Sequence, residues 1–162
     1  SPDTASYKMI NKVLEVFDHV IISTGSTTTE ELEKTIKLCE KKNVTFFHCM
    51  TIYPCPLDKV NMKRLIWLKN QGLSVGYSDH TLGTEAAKYA ICLGVEYVEK
   101  HFTLNRELPG RDQKMSTTIE EFIDIVLWCK LINKMSGKSK PTFSDEEQLF
   151  RKNYIGKWGD NN

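Results

Sequence analysis

Four short apolar runs, each ending in polar residues, alternate with longer amphipathic segments along this chain. Val20-Ile21-Ile22 ends at Ser23-Thr24-Gly25, and Val44-Thr45-Phe46-Phe47 ends at His48-Cys49. Leu73-Ser74-Val75-Gly76-Tyr77 ends at Ser78-Asp79-His80, and Val95-Glu96-Tyr97-Val98 ends at Glu99-Lys100-His101. Short runs rich in β-branched and aromatic residues read as buried strands. Successive runs lie roughly 20 to 30 residues apart, the spacing of strand–helix units.

Helical patterns fill the gaps. Residues 6–17 place Met9, Ile10, Val13, Leu14 and Phe17 on one face. Thr28 and Glu31 form a capping box that opens a helix to about Lys41, with Leu32, Ile36 and Cys39 turned inward. Residues 60–69 carry Leu65, Ile66 and Leu68, and residues 84–93 form a small apolar helix stopped by Gly94. Thr118 and Glu121 form a second capping box, opening a long helix to about Met135. Beyond Lys138 the chain is polar and is expected to be loosely ordered.

Strands alternating with helices predict a parallel sheet with right-handed crossovers. Four such units fit either a small open sheet or half of an eight-fold barrel. In both, chemistry gathers at the carboxyl ends of the strands. There the polar ends of the third and fourth runs each carry a histidine. Side chains alternate across a strand, so Ser78 shares a face with His80, and Glu99 shares one with His101. Two neutral imidazoles with open coordination positions suit a divalent transition ion that also binds water and substrate. The plain alternative is a pair of ordinary hydrogen-bonded histidines near loops.

Composition narrows the field. The 162 residues suffice for one domain with a core. Lys and Arg (22) nearly balance Asp and Glu (21), which gives no footprint for nucleic acid or an anionic membrane surface. The five cysteines form no CxxC pair, and Cys39, Cys92 and Cys129 fall on apolar helix positions. That pattern predicts reduced thiols and a cytoplasmic setting. No apolar run approaches the length of a membrane span. The chain opens on Ser1-Pro2 rather than Met, as expected of a cut from a longer protein.

Three loops add candidate contacts. Ser23-Thr24-Gly25-Ser26-Thr27 is a hydroxyl- and amide-rich turn before a capped helix, suited to phosphate or carboxylate, or simply to capping. Thr51-Ile52-Tyr53-Pro54-Cys55-Pro56 is stiffened by two prolines and offers the Tyr53 phenol. Leu108 to Lys114 mixes turn residues with both charges, and its Asp112 could accept hydrogen bonds from sugar hydroxyls.

The ordered set Ser23-Thr24-Gly25, His48-Cys49 with Tyr53-Pro54, Gly76-Tyr77-Ser78-Asp79-His80-Thr81, Glu99-Lys100-His101-Phe102-Thr103 and Pro109-Gly110 with Asp112 and Lys114 resembles the sialic acid synthase family. The resemblance covers residues 1–137 and leaves 138–162 as a polar tail. It implies the last four βα units of a TIM (β/α)8 barrel, the C-terminal half of a catalytic domain. It implies condensation of phosphoenolpyruvate with an N-acetylated amino sugar resembling N-acetylmannosamine, giving a sialic acid-type product and phosphate. A divalent ion, manganese by family habit with magnesium or cobalt as alternatives, is implied on His80 and His101, the implied catalytic pair. Ser1, Ser23, Ser78 and Tyr53 are implied near phosphoenolpyruvate, Asp112 near the sugar, and a homodimer in the complete enzyme.

The chain also departs from that family. Thr51 stands where the family usually has an Asn that contacts phosphoenolpyruvate, STGM is STGS, and PGPDHK is PGRDQK. These changes leave the acceptor sugar open. The first half of the barrel, with the family's catalytic glutamate and phosphoenolpyruvate lysines, and the C-terminal antifreeze-like domain have no counterpart in the sequence. The 162 residues alone are therefore expected to be inactive. Two other readings compete: a half-barrel that only binds or dimerises, and an aldolase with Lys100 as Schiff-base nucleophile. Strand parity turns Lys100 away from His101.

Overall fold

Each apolar run forms a strand, and each strand pairs with the next in the chain. The computed structural model describes residues 1–137 and 143–156. The strands are β1 (Val20–Ser23), β2 (Val44–Cys49), β3 (Ser74–Asp79) and β4 (Tyr97–Lys100). They form one parallel sheet in the order β1-β2-β3-β4. A doubly wound sheet reverses strand order at a switch point, whereas a barrel adds strands in sequence order. The unreversed order agrees with the alternative that periodicity left open and the resemblance implied: alternating βα units form a curled parallel half-barrel.

The helices are α1 (Tyr7–Val16), α2 (Thr29–Leu38), α3 (Met62–Asn70), α4 (Glu85–Cys92), α5 (Ile119–Met135) and α6 (Asp145–Tyr154). The predicted capping box closes on α2: Thr28 Oγ1 accepts from the Glu31 N–H, and Glu31 accepts from the Thr28 N–H. Thr118 and Glu121 make the same reciprocal contacts before α5. Gly94 follows α4 at φ +74°, a conformation that costs glycine little.

The register divides the strands into two faces. Val44, Phe46 and Val75 point outward and pack with Leu32 and Leu68. Tyr77 packs with Leu65, Ala86 and Ala90, and Val98 lies against Ala87, Ile91 and Ile125. Leu32, Leu65 and Leu68 are fully buried, so the core sits between sheet and helices. The opposite, concave face carries Ile21 and Tyr97, both half exposed, and the polar strand ends. Helix-covered on one side, the sheet keeps its chemistry on the other.

Several boundaries differ from those expected. β3 and β4 extend through the polar residues because Ser78 pairs with Glu99, and Asp79 with Lys100, in the ladder. α2 stops at Leu38, before Lys41 takes a left-handed φ of 62°. α3 begins at Met62, after a 3-10 turn over Leu57–Lys59 and a left-handed Asn61. Cys92, expected on an apolar helix position, is exposed, while Cys49 and Cys55 are buried, and none of the five cysteines is in a disulfide. The expectation of loose order beyond Lys138 needs correction over 145–154, which form α6. Ser144 and Glu147 cap that helix reciprocally, a signal inside a segment read only for its polarity. The remainder of that expectation, 138–142 and 157–162, lies outside the described residues. The chain divides into two compact units, Ser1–Ile132 and Asn133–Asn162. No helix among the described residues is long and apolar enough to cross a membrane.

Gly76 marks a tight point of the concave face. A Cβ built there would lie 2.3 Å from Cε1 of Phe47, its neighbour on β2. Phe47 is buried and cannot yield cheaply. Gly76→Ala is expected to destabilise the fold by about 1–3 kcal/mol, the usual cost of overpacking. Denaturant unfolding would show it as a lower midpoint with an unchanged slope.

Candidate functional site

The pleat that buries the outer residues of β3 and β4 turns His80 and His101 toward the concave side. Their rings meet edge to face, with centroids 5.5 Å apart. Tyr53, from the loop after β2, lies 4.2 Å from the His80 ring and 6.0 Å from the His101 ring, centroid to centroid. The bond joining Tyr53 to Pro54 is cis. Partial burial, then the Cys49, Asp112 and Glu99 groups around it, push the Tyr53 phenol above its ordinary pKa.

Hydrogen bonds fix how His80 presents itself. Its Nδ1 lies 2.7 Å from the Met50 carbonyl oxygen, which can only accept. Nδ1 therefore carries a proton, and in the neutral ring Nε2 keeps the lone pair. Ser78 Oγ lies 3.4 Å from that Nε2, but its single proton is donated to Glu99 Oε1 at 2.9 Å. The Nε2 lone pair of His80 is thus left for another acceptor-seeking group. The His80 carbonyl accepts from the Cys55 N–H at 2.8 Å, so the loop after β2 holds both ends of this residue. His101 Nδ1 stands 3.6 Å from Asp112 Oδ2, beyond hydrogen-bond length.

A cleft of about 780 Å³ opens beside this pair, lined by Tyr53, Pro54, Leu82, His101, Arg111, Asp112, Lys114 and Met115. The loop supplying Asp112 is anchored at both ends. Thr117 N–H donates to the His101 carbonyl at 2.7 Å, and Thr103 N–H donates to the Thr117 carbonyl at 3.0 Å. Arg106 contacts Glu121 at 2.5 Å and the Ser116 carbonyl at 3.0 Å.

A second group forms around Gly25. Ser1 Oγ lies 3.2 Å from Cys49 Sγ. A Cβ at Gly25 would meet Thr51 Oγ1, Cys49 Sγ and Ser1 Oγ at 2.3, 2.7 and 3.0 Å, so only glycine fits among these polar atoms. Arg64 on α3 steadies the Ser23–Thr27 turn by donating to the Thr24 and Thr27 carbonyls at 3.2 and 2.8 Å. Ser23 aligns with Phe47, whereas Cys49, which aligns with Ser78, lies beyond Phe47 nearer the strand ends. Ser1 and Ser23 line a cavity of about 190 Å³ beside α1.

The structure thus gathers His80, His101, Tyr53, Ser78 and Asp112 in one place, and Ser1 with Thr51 in another. Sequence reasoning gave no site role to Cys49, Leu82, Arg111 or Lys114. Arg111 and Lys114 stood in the flagged loop, but nothing in an irregular loop's sequence fixes which side chains face a cleft. Lys100 is only 2 % exposed at its side chain and is paired with Asp79 on the outer face, which disfavours a Schiff-base role.

The donor chemistry bears on an ion. Two imidazoles, one locked as the Nδ1–H tautomer by a backbone carbonyl, match the way metal-ligating histidines are held. Among the described residues no group of three or more His, Cys, Asp or Glu forms a closed cage. Two imidazoles alone would leave most positions of an ion to water and substrate.

The NeuB family model matches residues 1–141. This chain belongs to the NeuB family. The N,N'-diacetyllegionaminic acid synthase of Campylobacter jejuni is 33% identical over 167 residues, covering 97% of this chain and 50% of that protein. The pseudaminic acid synthase of the same organism is 38% identical over 106 residues, covering 63% of this chain and 31% of that protein. Among solved structures, N-acetylneuraminic acid synthetase from Leptospira borgpetersenii serovar Hardjo-bovis, in complex with citrate, superposes with a TM-score of 0.85 at 27% identity, over 93% of this chain and 55% of its own. The resemblance read from the strand-end motifs is therefore borne out. This NeuB-family chain spans about half the length of the legionaminic acid synthase and of the solved synthetase.

One buried group of this NeuB-family half-barrel predicts a pH response. His48 is fully buried on the outer face, its Nε2 2.8 Å from the Val60 carbonyl and its ring stacked on Tyr77. Burial holds its pKa below the ordinary value of 6.5, outweighing the carbonyl contact. The unfolded state then binds the proton more readily. His48's contribution is full above pH 6.5 and is lost as pH falls below it. Stability measured from pH 8 to 5 should fall on the acid side, and His48→Gln should flatten that fall.

Proposed function

We propose that this chain forms the last four βα units of a (β/α)8 barrel that joins phosphoenolpyruvate to an N-acetylated amino sugar. The observation that carries the reading is the His80–His101 pair at the strand ends, with the His80 lone pair released by Met50 and Ser78. The named activities of its relatives, synthases of legionaminic and pseudaminic acids, support the reaction class. Acceptors resembling N-acetylmannosamine fit that class.

The chemistry balances as follows. The methylene carbon of phosphoenolpyruvate attacks the aldehyde carbon of the open-chain sugar, forming the new C–C bond. Water adds to the positively charged former enol carbon, one of its protons goes to the alkoxide made from the aldehyde, and the other goes to the departing phosphate. The C–O bond to phosphorus-bound oxygen then breaks, leaving an α-keto acid and inorganic phosphate. A divalent ion held by His80 and His101, manganese with magnesium or cobalt as alternatives, would supply Lewis-acid polarisation of the aldehyde.

The chain's own residues set the stage. Ser1, Thr51 and the amide-rich turn after Ser23 offer hydroxyl and N–H donors for the anion. Ser78, turned to Glu99, leaves the His80 Nε2 beside it open. Tyr53 covers the His80 ring, and Asp112 faces His101 from the far wall, where it can accept bonds from sugar hydroxyls. Holding both reactants removes part of the entropic barrier. The remaining contacts of the reaction, and a dimeric assembly, belong to the complete enzyme. The setting consistent with reduced thiols is the cytoplasm.

The test uses the complete barrel, assaying phosphate release with phosphoenolpyruvate and a panel of amino sugars. His101→Ala is expected to abolish manganese-dependent turnover while leaving the melting transition cooperative. Full activity of that variant at saturating manganese would overturn the assignment. The 162 residues alone are expected to release no phosphate.

A further inference from the structure

The outer face of β3 and β4 carries a facing pair of its own beside the two histidines. Asp79 and Lys100 directly precede His80 and His101, and they are register partners. Because neighbouring residues on a strand point to opposite faces, a contact between one pair constrains the other. Lys100 Nζ donates to Asp79 Oδ2 at 2.8 Å, and the two side chains are 2% and 0% exposed.

This pair also grips the turn that carries His80. Asp79 Oδ1 accepts from the Thr81 N–H at 2.8 Å, and Lys100 Nζ donates to the Thr81 carbonyl at 2.7 Å. Tyr77 donates its hydroxyl to the same Asp79 oxygen at 3.2 Å. His80 is thus flanked by two residues tied to a side chain of β4, the strand that leads into His101. A buried ion pair is weak evidence for stability but serves well to specify one arrangement.

We propose that the Asp79–Lys100 pair is a positioning device that sets the spacing and orientation of His80 and His101. Neither side chain touches the cleft. Their effect passes through the backbone of β3, β4 and Thr81 to the imidazoles. The proposal rests on the reading that those histidines hold a divalent ion, and its test separates the two ideas.

The experiment uses the full-length protein and two variants. The first, Asp79→Asn with Lys100→Met, removes both charges together and keeps an acceptor for the Thr81 N–H. The second, Asp79→Glu, keeps the charges but lengthens the arm by one methylene. Mn²⁺ affinity is followed by electron paramagnetic resonance of the free ion. The His80 tautomer is read separately, without metal, from imidazole nitrogen-15 shifts. Each variant is expected to melt cooperatively and to bind Mn²⁺ at least about 10-fold more weakly, the scale of an outer-shell lesion. The His80 signal is expected to leave its single Nδ1–H form. Unchanged affinity and unchanged nitrogen shifts in either folded variant would overturn the positioning role. If wild-type Mn²⁺ affinity is indifferent to His101→Ala, the metal reading fails, and the nitrogen shifts alone decide the positioning proposal. If neither variant folds, the pair is a structural requirement and the proposal is overturned.

Discussion

Adjacent residues on a strand cannot share a face, and this half-barrel depends on that constraint. Along β3 and β4 the outward positions are Val75, Tyr77, Asp79, Val98 and Lys100, which meet helices or each other. The intervening positions are Gly76, Ser78, Tyr97 and Glu99. A one-residue slip in register would bring charge into the helix layer and Tyr77 into the cleft. The apolar packing of the outer face therefore enforces the polar order of the inner one. Helix packing far from the site thus contributes to keeping the two imidazoles on one face.

The strands also change character along their length. Toward their amino ends the outward residues are aliphatic or aromatic and pack with fully buried leucines of α2 and α3. Toward their carboxyl ends even buried positions are polar: Thr24, Ser78, Asp79, His80 and Thr81. Such groups lose their water and must find partners inside the protein. Backbone carbonyls meet much of that need, Met50 for His80, Phe47 for Thr24 and Thr81 for Lys100. The loops after β2 and β3 are consequently ordered by the same bonds that orient the site.

Strand–helix alternation, capping boxes and the facing histidines were legible because each follows from a local rule. Period and parity depend only on neighbours in sequence. Periodicity alone could not choose between open sheet and barrel, since strand order is a long-range property; only the family resemblance of the strand-end motifs pointed to a barrel. Sequence reasoning also missed α6, where the Ser144–Glu147 signal sat in a polar tail, and it put Cys92 on an apolar helix position, though the residue is exposed. The 780 Å³ cleft was illegible for a different reason. Its walls come from three loops, and an irregular loop carries no period from which to read the direction of Arg111 or Lys114. Cys49 was likewise visible as a strand-end residue, but its meeting with Ser1 and Gly25 joins segments far apart in the chain.

The unmet polar atoms sharpen this picture. Among buried side-chain atoms of the described residues, His48 Nδ1, Thr81 Oγ1 and Thr117 Oγ1 have no hydrogen-bond partner. A buried polar atom left unsatisfied costs roughly 1–3 kcal/mol. Two of the three belong to segments bound directly to the site, Thr81 after His80 and Thr117 against the His101 carbonyl. If fold stability alone governed these positions, an apolar residue of similar shape would remove that cost. Valine in place of Thr81 or Thr117 would keep the shape without the hydroxyl. The threonines therefore place their cost at the end of the sheet where the imidazoles converge, while the helix-covered outer face supplies the stability that offsets it. Site and core are thereby separated along the length of the same four strands.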